Sequence, residues 1–421
     1  MKAICLLVQN VYDSDPRVRR KAEALAAAGW VVDVLALCPF DGRKTYTLNG
    51  VNVHTCALGK PRGSLVRYFF EYAAFFAWAF LRMPLQMRRR RYAVIDVNTL
   101  PDFLVFAPVL ARWMGAKIVL DMHEITPEFY MSKYGMARRS WVVRLLTYLE
   151  RISVRFADEV VTINEPIQDL LVERGLRRSK STVVMNAADE ARFNHGSNPS
   201  STTAATGAPS PADKFVRMYH GTLTPIYGLD LAIEAFAMAR KEMPEAEIWI
   251  LGSGTEAGGL ATLAEQRGLA SRVKMIGQVR SSDIPGWLRM ADVGILPIRQ
   301  DVFLDFAFPN KLPEFVIAGK PVLVSRLKAI RHYFSEDALA FFEPNDASDL
   351  AKQMVRLYRD QPLRARLVTN ARAEYAPIRW ELMKQRYLEL MDHMRVGVPS
   401  MEGRRHEIAL ATVAPRKRTL L

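Results

Sequence analysis

The chain has 421 residues, half of them hydrophobic, and its 58 lysines and arginines outnumber its 44 acidic residues to give a net charge of +14. This length allows two domains with separate cores, and the basic surface favours anionic partners, namely nucleic acid, phosphorylated small molecules or an anionic membrane face. The three cysteines are odd in number, which argues against a disulfide scaffold and for a reducing compartment.

Strands and helices alternate through the first half of the chain. The run "KAICLLV" is too short for the apolar region of a signal peptide and predicts a strand in a cytoplasmic protein. A helix in "DPRVRRKAEALAAAGW" and a strand in "VVDVLAL" follow. The order then repeats with the strand "YAVIDVN", the helix "DFLVFAPVLARWMG", the strand "AKIVLDMHE", a helix near 139–156 and the strand "EVVTIN". Nearly continuous apolar strands of this kind predict a parallel sheet covered on both faces.

Residues 194–213, "NHGSNPSSTTAATGAPSPAD", have the composition of a flexible linker. The alternation restarts beyond it, with strands in "RMYHGTL", "EIWILG", "VKMIG" and "VGILPI" and helices at 228–241, 259–267 and 283–291. We therefore predict two doubly wound α/β domains, 1–193 and 214–375. The polar, basic end of the chain, 395–421, is predicted to be a disordered tail.

The stretch "FAFPNKLPEFVIAGKPVLV", residues 306–324, predicts a short helix before a buried strand. Asn310 is placed to cap a helix that runs to Ala318, and Lys311 and Glu314 then lie one turn apart on one face. This pair is either an ordinary surface pair or part of a ligand site. In the second interpretation Lys311 and the helix N-terminus attract a diphosphate, while Glu314 accepts two hydrogen bonds from a ribose diol. That combination suits a nucleoside diphosphate.

Two glycine turns follow strands in the second half. Gly252 and Gly254 fit a loose G-x-G-x-x-A fingerprint. A nicotinamide cofactor would also require an acidic residue at the end of the next strand, where the sequence has Gly277. A strand–turn–helix of this type still binds phosphate. Gly221 in "HGTL" forms a second such turn, either a plain connection or part of the same ligand site, because these loops cluster at the carboxyl edge of a doubly wound sheet.

Two groups of polar residues follow strands in the first half. The motif "DSD" resembles a metal-binding pair, but Asp15 before a proline is better explained as a helix N-cap, and Arg17 could place positive charge beside an acceptor phosphate. His123 and Glu124 end a strand and are expected to project from the carboxyl edge of the first sheet. A lone histidine is more often structural, whereas this pair at that edge is a better catalytic candidate.

The order of these motifs resembles family 4 glycosyltransferases, which are retaining enzymes of the GT-B architecture. The motifs that carry the likeness are "DPRVRRKAEALAAAGW", "LDMHE", "VVMNAADEARF", "YHGTL", "LGSGT" and "PNKLPEFVIAGKPV". The last is similar to the P-x-K-x-x-E donor motif of bacterial members, and the likeness covers about residues 1–392. It implies two Rossmann-like domains that face each other across a cleft, with a nucleotide-sugar on the C-terminal domain and the acceptor on the N-terminal one. It implies no metal or other cofactor and no nucleic-acid partner.

The resemblance also assigns roles to individual residues. Glu314 would bind the ribose, His123 would face the transferring sugar, and the final helix at 376–394, which contains Trp380, would pack back on the N-terminal domain. The expected site residues are catalytic His123, Glu124 and Lys311, donor-binding Gly221, Thr222, Gly252, Gly254, Pro309, Asn310, Lys311 and Glu314, and acceptor-side Asp15 and Arg17.

The chain departs from the family pattern at two places. Phe306 stands where the two-glutamate form has its first Glu, with Asp305 beside it. Ile226 and Tyr227 lie near the position of a diphosphate-binding Lys, a role that we expect Lys311 to fill.

Three functions are compatible with these features. The first is a retaining hexosyltransferase that moves a sugar from a nucleoside-diphosphate donor to a glycan in cell-surface polysaccharide synthesis. The second is a non-catalytic GT-B subunit of a membrane polysaccharide assembly, which the missing Glu would suit. The third is a GT-B sugar-nucleotide epimerase, disfavoured because few acid/base residues can be placed.

A segment rich in Phe, Tyr and Trp, residues 69–81, is too short to span a bilayer and is flanked by arginines, including Arg88, Arg89, Arg90 and Arg91. Such a helix either lies in a membrane interface with its arginines on anionic headgroups or packs on the first sheet. The net charge and the resemblance favour the membrane. We therefore predict a peripheral enzyme on the cytoplasmic face of the membrane with a polyprenyl-diphosphate-linked or other glycan acceptor.

Overall fold

The computed structural model describes residues 2–58, 65–194 and 214–396. The predicted linker, apart from Asn194, and the predicted tail beyond residue 396 lie outside these residues. The chain divides into two compact units, which we call the N-terminal unit (Met1–Met185 with Glu381–Leu421) and the C-terminal unit (Asn186–Trp380). Residues 186–193, which we had assigned to the N-terminal domain, therefore belong to the C-terminal unit.

The N-terminal unit contains a sheet with the strand order β3-β4-β2-β1-β5-β6-β7-β8. Its strands are β1 Ala3–Val11, β2 Val31–Leu37, β3 Thr45–Leu48, β4 Val51–Cys56, β5 Val94–Asn98, β6 Lys117–Met122, β7 Glu159–Thr162 and β8 Ser181–Val183. Neighbouring strands are parallel except for β3, which pairs antiparallel with β4. Asn49 and Gly50, both at positive φ, make the turn of this hairpin, as expected for an Asn-Gly pair.

Helices cover this sheet. They are α1 Pro16–Ala27, α2 Leu65–Arg89, α3 Val109–Trp113, α4 Thr126–Tyr134, α5 Trp141–Phe156 and α6 Glu165–Glu173. The helix predicted in "DFLVFAPVLARWMG" is divided into a 3-10 segment, Asp102–Phe106, and α3. The last helix of the described chain, which we number α15, spans Trp380–Val396 and packs in the N-terminal unit, beginning later than residue 376.

The C-terminal unit contains a parallel sheet with the order β11-β10-β9-β12-β13-β14. Its strands are β9 Phe215–His220, β10 Ala246–Leu251, β11 Val273–Gly277, β12 Val293–Leu296, β13 Val322–Ser325 and β14 Ala340–Phe342. In chain order this is the 3-2-1-4-5-6 arrangement, whose direction reverses between β9 and β12. Ligands of such sheets bind beyond the carboxyl ends of the strands at that reversal.

The helices of the C-terminal unit are α7 Ala191–Asn194, α8 Leu229–Ala239, α9 Ala257–Gln266, α10 Ile284–Met290, α11 Lys311–Ile317, α12 Lys328–Tyr333, α13 Ala347–Arg359 and α14 Gln361–Tyr375. Trp249 of β10 and Trp287 of α10 are fully buried and meet edge to face, with ring centroids 6.1 Å apart. The predicted fold class, two doubly wound α/β domains, is confirmed.

Candidate active site

The two glycine turns predicted to bind the donor lie side by side in the C-terminal unit. Gly221 follows β9 and Gly252 follows β10, and these strands are paired so that His220 lies opposite Leu251. Both glycines have positive φ, 131° and 139°, a conformation that other residues rarely adopt. The Gly221 amide donates to the Leu251 carbonyl at 2.8 Å, which ties one turn to the neighbouring strand.

These turns are in direct backbone contact. A Cβ added to Gly252 would lie 1.8 Å from the Gly221 carbonyl oxygen, and one added to Gly254 would lie 2.1 Å from that of Leu223. Thr222 is exposed at the end of the first turn, and its carbonyl accepts a hydrogen bond of 2.8 Å from the Tyr219 hydroxyl. The absence of side chains at these glycines therefore lets backbone groups gather at the carboxyl edge of the sheet.

Lys311 enters this site from α11, which follows β12 across the reversal in strand order. A Cβ on Gly221 would meet its Cε at 2.1 Å, so the lysine chain runs directly over the first turn. Its Nζ lies 4.2 Å from the ring centroid of Tyr227 and 5.5 Å from that of Tyr219. Aromatic faces stabilise a cation. Among the described residues, no carboxylate lies within ion-pair distance of this ammonium.

Burial lowers the pKa of Lys311 to about 8, and Glu314 opposes the shift. Taking an ammonium out of water disfavours its charged form, because the low-dielectric surroundings replace its hydration shell. A bound anion would reverse that cost. Lys311 is therefore a buried ammonium whose charge a bound phosphate group would stabilise.

Pro309 and Asn310 lead into α11 as predicted, but the expected cap is not formed. Asn310 has helical dihedral angles, φ −57° and ψ −21°, and its side chain makes no capping hydrogen bond. An N-cap residue normally needs an extended backbone to direct its side chain at the free amides. The prediction that Asn310 caps this helix is wrong, whereas the predicted helix end is found, with Gly319 at φ +70°.

Glu314 lies one turn into α11, close to the side chains of His220 and Arg192. Its Oε2 is 3.3 Å from His220 Nε2, and its Oε1 is 3.7 Å from Arg192 Nη1. Burial lowers the pKa of His220 to about 3, helped by Lys311 and Arg192, so this imidazole is neutral. The Glu314 carboxylate therefore lies beside His220 and Arg192 in the same unit as the two glycine turns and Lys311.

Arg192 was not predicted from the sequence. It sits in the short helix α7, and its guanidinium also donates to the Ser281 carbonyl and to the Ser281 hydroxyl, the latter at 2.9 Å. The only sequence signal was its place inside the motif "VVMNAADEARF". It adds a second cation to a site where the family pattern places basic residues after the first turn.

Asp305, beside Phe306, is engaged elsewhere. Its Oδ1 accepts from the Lys328 amide at 2.9 Å at the start of α12, and from Gln300 at 3.2 Å. The carboxylate therefore binds an otherwise free backbone amide at the start of a helix. It is not a ready replacement for the missing first Glu.

Asp15 and Arg17 lie together where β1 gives way to α1. The Asp15 carboxylate accepts from the Arg17 and Val18 amides, and Pro16 is the first helical residue. The predicted N-cap is confirmed. Although burial opposes ionisation, Arg17 and Asn10 lower the pKa of Asp15 to about 2. Arg17 Nε lies 3.3 Å from Asp15 Oδ1, so its charge is shared with the cap.

The neighbouring Asp13 is bound by Arg43 at 2.7 Å and by the Tyr46 hydroxyl at 2.6 Å. Among the described residues, no group of three or more His, Cys, Asp or Glu side chains is arranged to hold a metal ion. Asp13 and Asp15 therefore serve separate structural contacts.

His123 follows β6 and is almost fully buried. Its Nε2 lies 3.0 Å from Asn98 Oδ1 and 3.6 Å from Asp121 Oδ2. Burial lowers its pKa to about 4 against the opposing effect of Asp121, so the ring is neutral at physiological pH. Glu124, the next residue, is half-buried, and burial raises its pKa.

A buried ionic network that the sequence did not suggest lies beneath His123. Lys21 of α1 pairs with Asp121 of β6, and the Tyr387 hydroxyl of α15 donates to Asp96 of β5. Burial and Asp121 raise the pKa of Asp96, whereas Lys21 and His123 keep that of Asp121 low despite burial. The network joins the sheet to the last helix, which is how the sequence-distant α15 is held in this unit.

The four arginines predicted to contact a membrane are not equivalent. Arg88, Arg89 and Arg91 are exposed near the end of α2. Arg90 instead pairs with the buried Asp33, with Nη1 2.8 Å from Oδ1. Arg90 therefore differs from the other three in that its charge neutralises a carboxylate at the sheet. Arg62, on the other flank, lies outside the described residues.

Both halves of the chain match family models. Residues 14–187 match "Glycosyl transferase 4-like domain" and residues 203–374 match "Glycosyl transferases group 1". The chain consists of two glycosyltransferase domains. Together these matches support a GT-B glycosyltransferase of the group 1/family 4 type, while the narrower P-x-K-x-x-E subgroup stays a prediction.

Individual relatives are distant. Escherichia coli (strain K12) WcaI, named as a colanic acid biosynthesis glycosyl transferase, is 26% identical over 248 residues, which is 58% of this chain and 60% of that protein. Sucrose-phosphate synthase from Thermosynechococcus elongatus superposes with a TM-score of 0.76 at 18% identity, over 94% of this chain and 100% of that one. Anabaena Alr3699/HepE, in complex with UDP, gives a TM-score of 0.68 at 17% identity, over 93% of this chain and 100% of that one. These likenesses establish the GT-B fold.

Proposed function

We propose that this protein is a retaining glycosyltransferase that moves a sugar from a nucleoside-diphosphate donor to a lipid-linked glycan in cell-surface polysaccharide synthesis. The observation that carries the proposal is the arrangement of Lys311 over the Gly221 turn with Glu314 one helical turn away. In the part of the chain that the structure describes, the Lys311 ammonium has no carboxylate within ion-pair distance. A cation of this kind beside backbone groups suits a diphosphate, and a carboxylate one helical turn away suits the ribose diol.

Each residue then has a chemical task. The bond between the sugar C1 and the phosphate oxygen breaks, and negative charge grows on the departing diphosphate. Lys311, and Arg192 beside Glu314, stabilise that charge more in the transition state than in the ground state, which is the condition for catalysis. His123, being neutral, is assigned as a hydrogen-bonding group toward the sugar, with Glu124 next to it.

The nucleotide is best tested with UDP, because the structurally similar HepE was determined in complex with UDP. A thermal-shift panel of UDP and its sugars should show stabilisation by the true donor, since a ligand of the native state raises apparent stability. Release of UDP from that sugar, with and without a glycan acceptor, then tests transfer. Chelator should leave the rate unchanged, because the cationic work is assigned to Lys311 and Arg192. Activity that chelator abolishes and magnesium or manganese restores would contradict this assignment.

The acceptor is proposed to be membrane-linked because α2 presents two different faces. Phe75, Ala79 and Met83 are buried toward the unit, whereas Phe70, Leu81 and Leu85 keep more than half of their surface exposed. The exposed stripe recurs at helical spacing and leads to the exposed Arg88. One face of the helix therefore packs inward, and the exposed face supports the proposal of a membrane contact. Within the described chain, no helix combines the length and apolar character needed to cross a bilayer.

Co-sedimentation with vesicles tests this part. Binding should require anionic lipid, weaken with salt, and fall when Arg88, Arg89 and Arg91 become Gln. Arg90→Gln is omitted because it would also remove the ion-pair partner of the buried Asp33. Equal recovery in the supernatant with neutral and anionic vesicles would indicate a soluble acceptor.

A second candidate, a non-catalytic subunit of a polysaccharide assembly, is favoured by one observation. Phe306 replaces the first Glu and Asp305 is committed to α12. The two candidates differ in whether UDP is released from a UDP-sugar. A non-catalytic subunit would bind UDP but release none from any sugar donor.

A further inference from the structure

A cavity of about 530 Å³ lies in the N-terminal unit among α4, α5 and α6. Its lining includes Arg138, Arg144 and Arg151, together with the apolar side chains of Met131, Val143 and Leu170. Among the described residues, no carboxylate lies within ion-pair distance of these three arginines. The cavity thus combines guanidinium groups with an apolar wall.

Two carboxylates near this cavity form ion pairs with an arginine. Arg174 pairs with Glu128, and its Nη1 lies 3.0 Å from Glu150 Oε1. The lining contains four arginines against two glutamates, and Glu173, the second glutamate, is exposed at the rim. An anion that enters would meet a net positive surface, and arginine binds phosphate oxygens in bidentate geometry.

The outer face of α5 adds an aromatic surface beside the arginines. Trp141 is 75% exposed and Tyr148 59% exposed, and Leu145 lies between them. Spacings of four and three residues put these side chains on one side of the helix, opposite the buried Val143 and Val154. Arg144 and Arg151 fall along one flank of this stripe. An amphipathic helix with exposed aromatics and flanking arginines is typical of a membrane-interface element.

The helices α2 and α5 both contact one 3-10 segment. The Phe76 ring of α2 lies 6.0 Å from the Phe103 ring, and the Phe106 ring of the same 3-10 segment lies 4.9 Å from Phe156 of α5. Both helices therefore pack on a common segment, Asp102–Phe106. The exposed apolar side chains of α5 and those of α2 thus belong to helices that share a packing partner.

We propose that this cavity is a headgroup site for an anionic phospholipid. Arg138, Arg144 and Arg151 hold the lipid phosphate, while Trp141, Leu145 and Tyr148 enter the acyl boundary. The inference rests on the membrane association proposed above and extends it from α2 to a specific lipid pocket on α5.

The test compares vesicle binding by R144Q/R151Q with that by R331Q/R366Q. The control variant removes the same charge from exposed arginines of the C-terminal unit, Arg331 and Arg366. With vesicles of phosphatidylcholine and phosphatidylglycerol, R144Q/R151Q should lose about thirtyfold in partitioning, since each arginine near an anionic surface contributes roughly fivefold. W141A/Y148A should also weaken binding and make the remainder more sensitive to salt. Loss by R144Q/R151Q no greater than that of the control would overturn the site.

Two further arms separate the outcomes. Millimolar inorganic phosphate should not displace the protein from vesicles; displacement would mean a site for soluble phosphate and would overturn the lipid assignment. Hydrogen exchange in peptides from α5 and β6, measured on the same samples, shows that the N-terminal unit of each variant is folded, and UDP binding shows the same for the C-terminal unit. If R88Q/R89Q/R91Q loses vesicle binding while R144Q/R151Q retains it, the membrane proposal stands and the lipid site fails. If the wild type ignores vesicles yet transfers sugar, the membrane proposal and the lipid site both fail, and the donor assignment stands.

Discussion

The two sheets each place a buried lysine near the carboxyl ends of parallel strands, but in different electrostatic surroundings. In the C-terminal unit, Lys311 stands beside two glycine turns and two aromatic rings, and no carboxylate of the described residues lies within ion-pair distance of its ammonium. In the N-terminal unit, Lys21 is buried against Asp121, and Asp96 is bound by Tyr387. At the first edge the lysine faces aromatic rings and backbone, whereas at the second the lysine is paired with an aspartate and a neighbouring aspartate is bonded to the last helix.

This difference separates a site for binding from a site for stability. A buried pair contributes little over an apolar replacement, but removal of one partner leaves a desolvated charge. A buried cation that waits for an anionic ligand behaves differently. Its burial lowers the stability of the free protein, and binding of the anion removes that cost. Substitutions at the two edges should therefore change different measured quantities.

The largest effect is expected from Lys21→Met. Asp121 would keep its charge without a partner, and the free energy of unfolding of the N-terminal unit should fall by about 3–5 kcal/mol. Hydrogen exchange in peptides from β5 and α15 measures this loss. UDP binding at low temperature should be retained, because the donor site belongs to the other unit.

The matched control is Lys21→Met combined with Asp121→Leu. Removing both charged partners should recover most of the lost stability. A double variant as unstable as the single one would mean that packing of the lysine chain, rather than its charge, holds this edge together.

At the other edge, the next largest effect should come from Gly252→Ala. Its Cβ would lie 1.8 Å from the Gly221 carbonyl oxygen, and φ is +139°, so both turns would have to move. We expect UDP affinity to fall at least about 100-fold, or ~2.7 kcal/mol, by isothermal titration calorimetry. Gly258→Ala is the control, since nothing lies within 4 Å of a Cβ there. Near wild-type affinity in Gly252→Ala would contradict the interlocked turns.

The sequence predicted the order of elements well because both sheets are parallel and buried. Nearly continuous apolar strands and capped helices, such as α1 with Asp15, are local signals. The hairpin of β3 and β4 was missed even though Asn49 and Gly50 are a strong turn signal. Its strands are half exposed and lack a continuous apolar run, which was the feature used to find the others.

The site was predicted in part, and what was missed is non-local. The glycine turns, Lys311 and Glu314 follow strands directly, so strand assignment located them. Arg192 lies near Glu314 although it is more than one hundred residues earlier in the chain. The hydrophobic periodicity of a sequence predicts helices and strands but not a contact between such distant residues. The same holds for the pairing of Asp96 with Tyr387, whose separation in sequence is 291 residues.

Glu314→Ala tests the ribose contact, with a smaller expected effect. An unpaired ribose diol should cost about 1–3 kcal/mol, or roughly 5–150-fold in UDP affinity. Binding of inorganic diphosphate should change much less, because it has no diol. An equal loss for both ligands would assign Glu314 to orienting Arg192 and His220 instead.

The smallest and most specific effect concerns pH. With a pKa of about 8 in the free protein, Lys311 is charged below pH 8 and increasingly neutral above it. A bound diphosphate stabilises the ammonium, so UDP affinity should be constant below pH 8. It should weaken by up to about tenfold between pH 8 and pH 9. The nucleotide's own phosphate, with a second pKa of about 6, is fully ionised in this range.

The sign of the stability change distinguishes this mechanism from general loss of structure. Because the folded pKa of Lys311 lies below its unfolded value, the unfolded chain binds more protons between the two, and this residue's contribution to stability rises with pH above 8. The UDP-free protein should thus gain stability from Lys311 over the interval in which UDP binding weakens. In Lys311→Gln, affinity should be lower at pH 7 and show no step near pH 8, and turnover should fall more than affinity because the charge it meets grows in the transition state. A step near pH 8 that persists in Lys311→Gln would assign the titration to another group and remove the electrostatic contrast between the two edges.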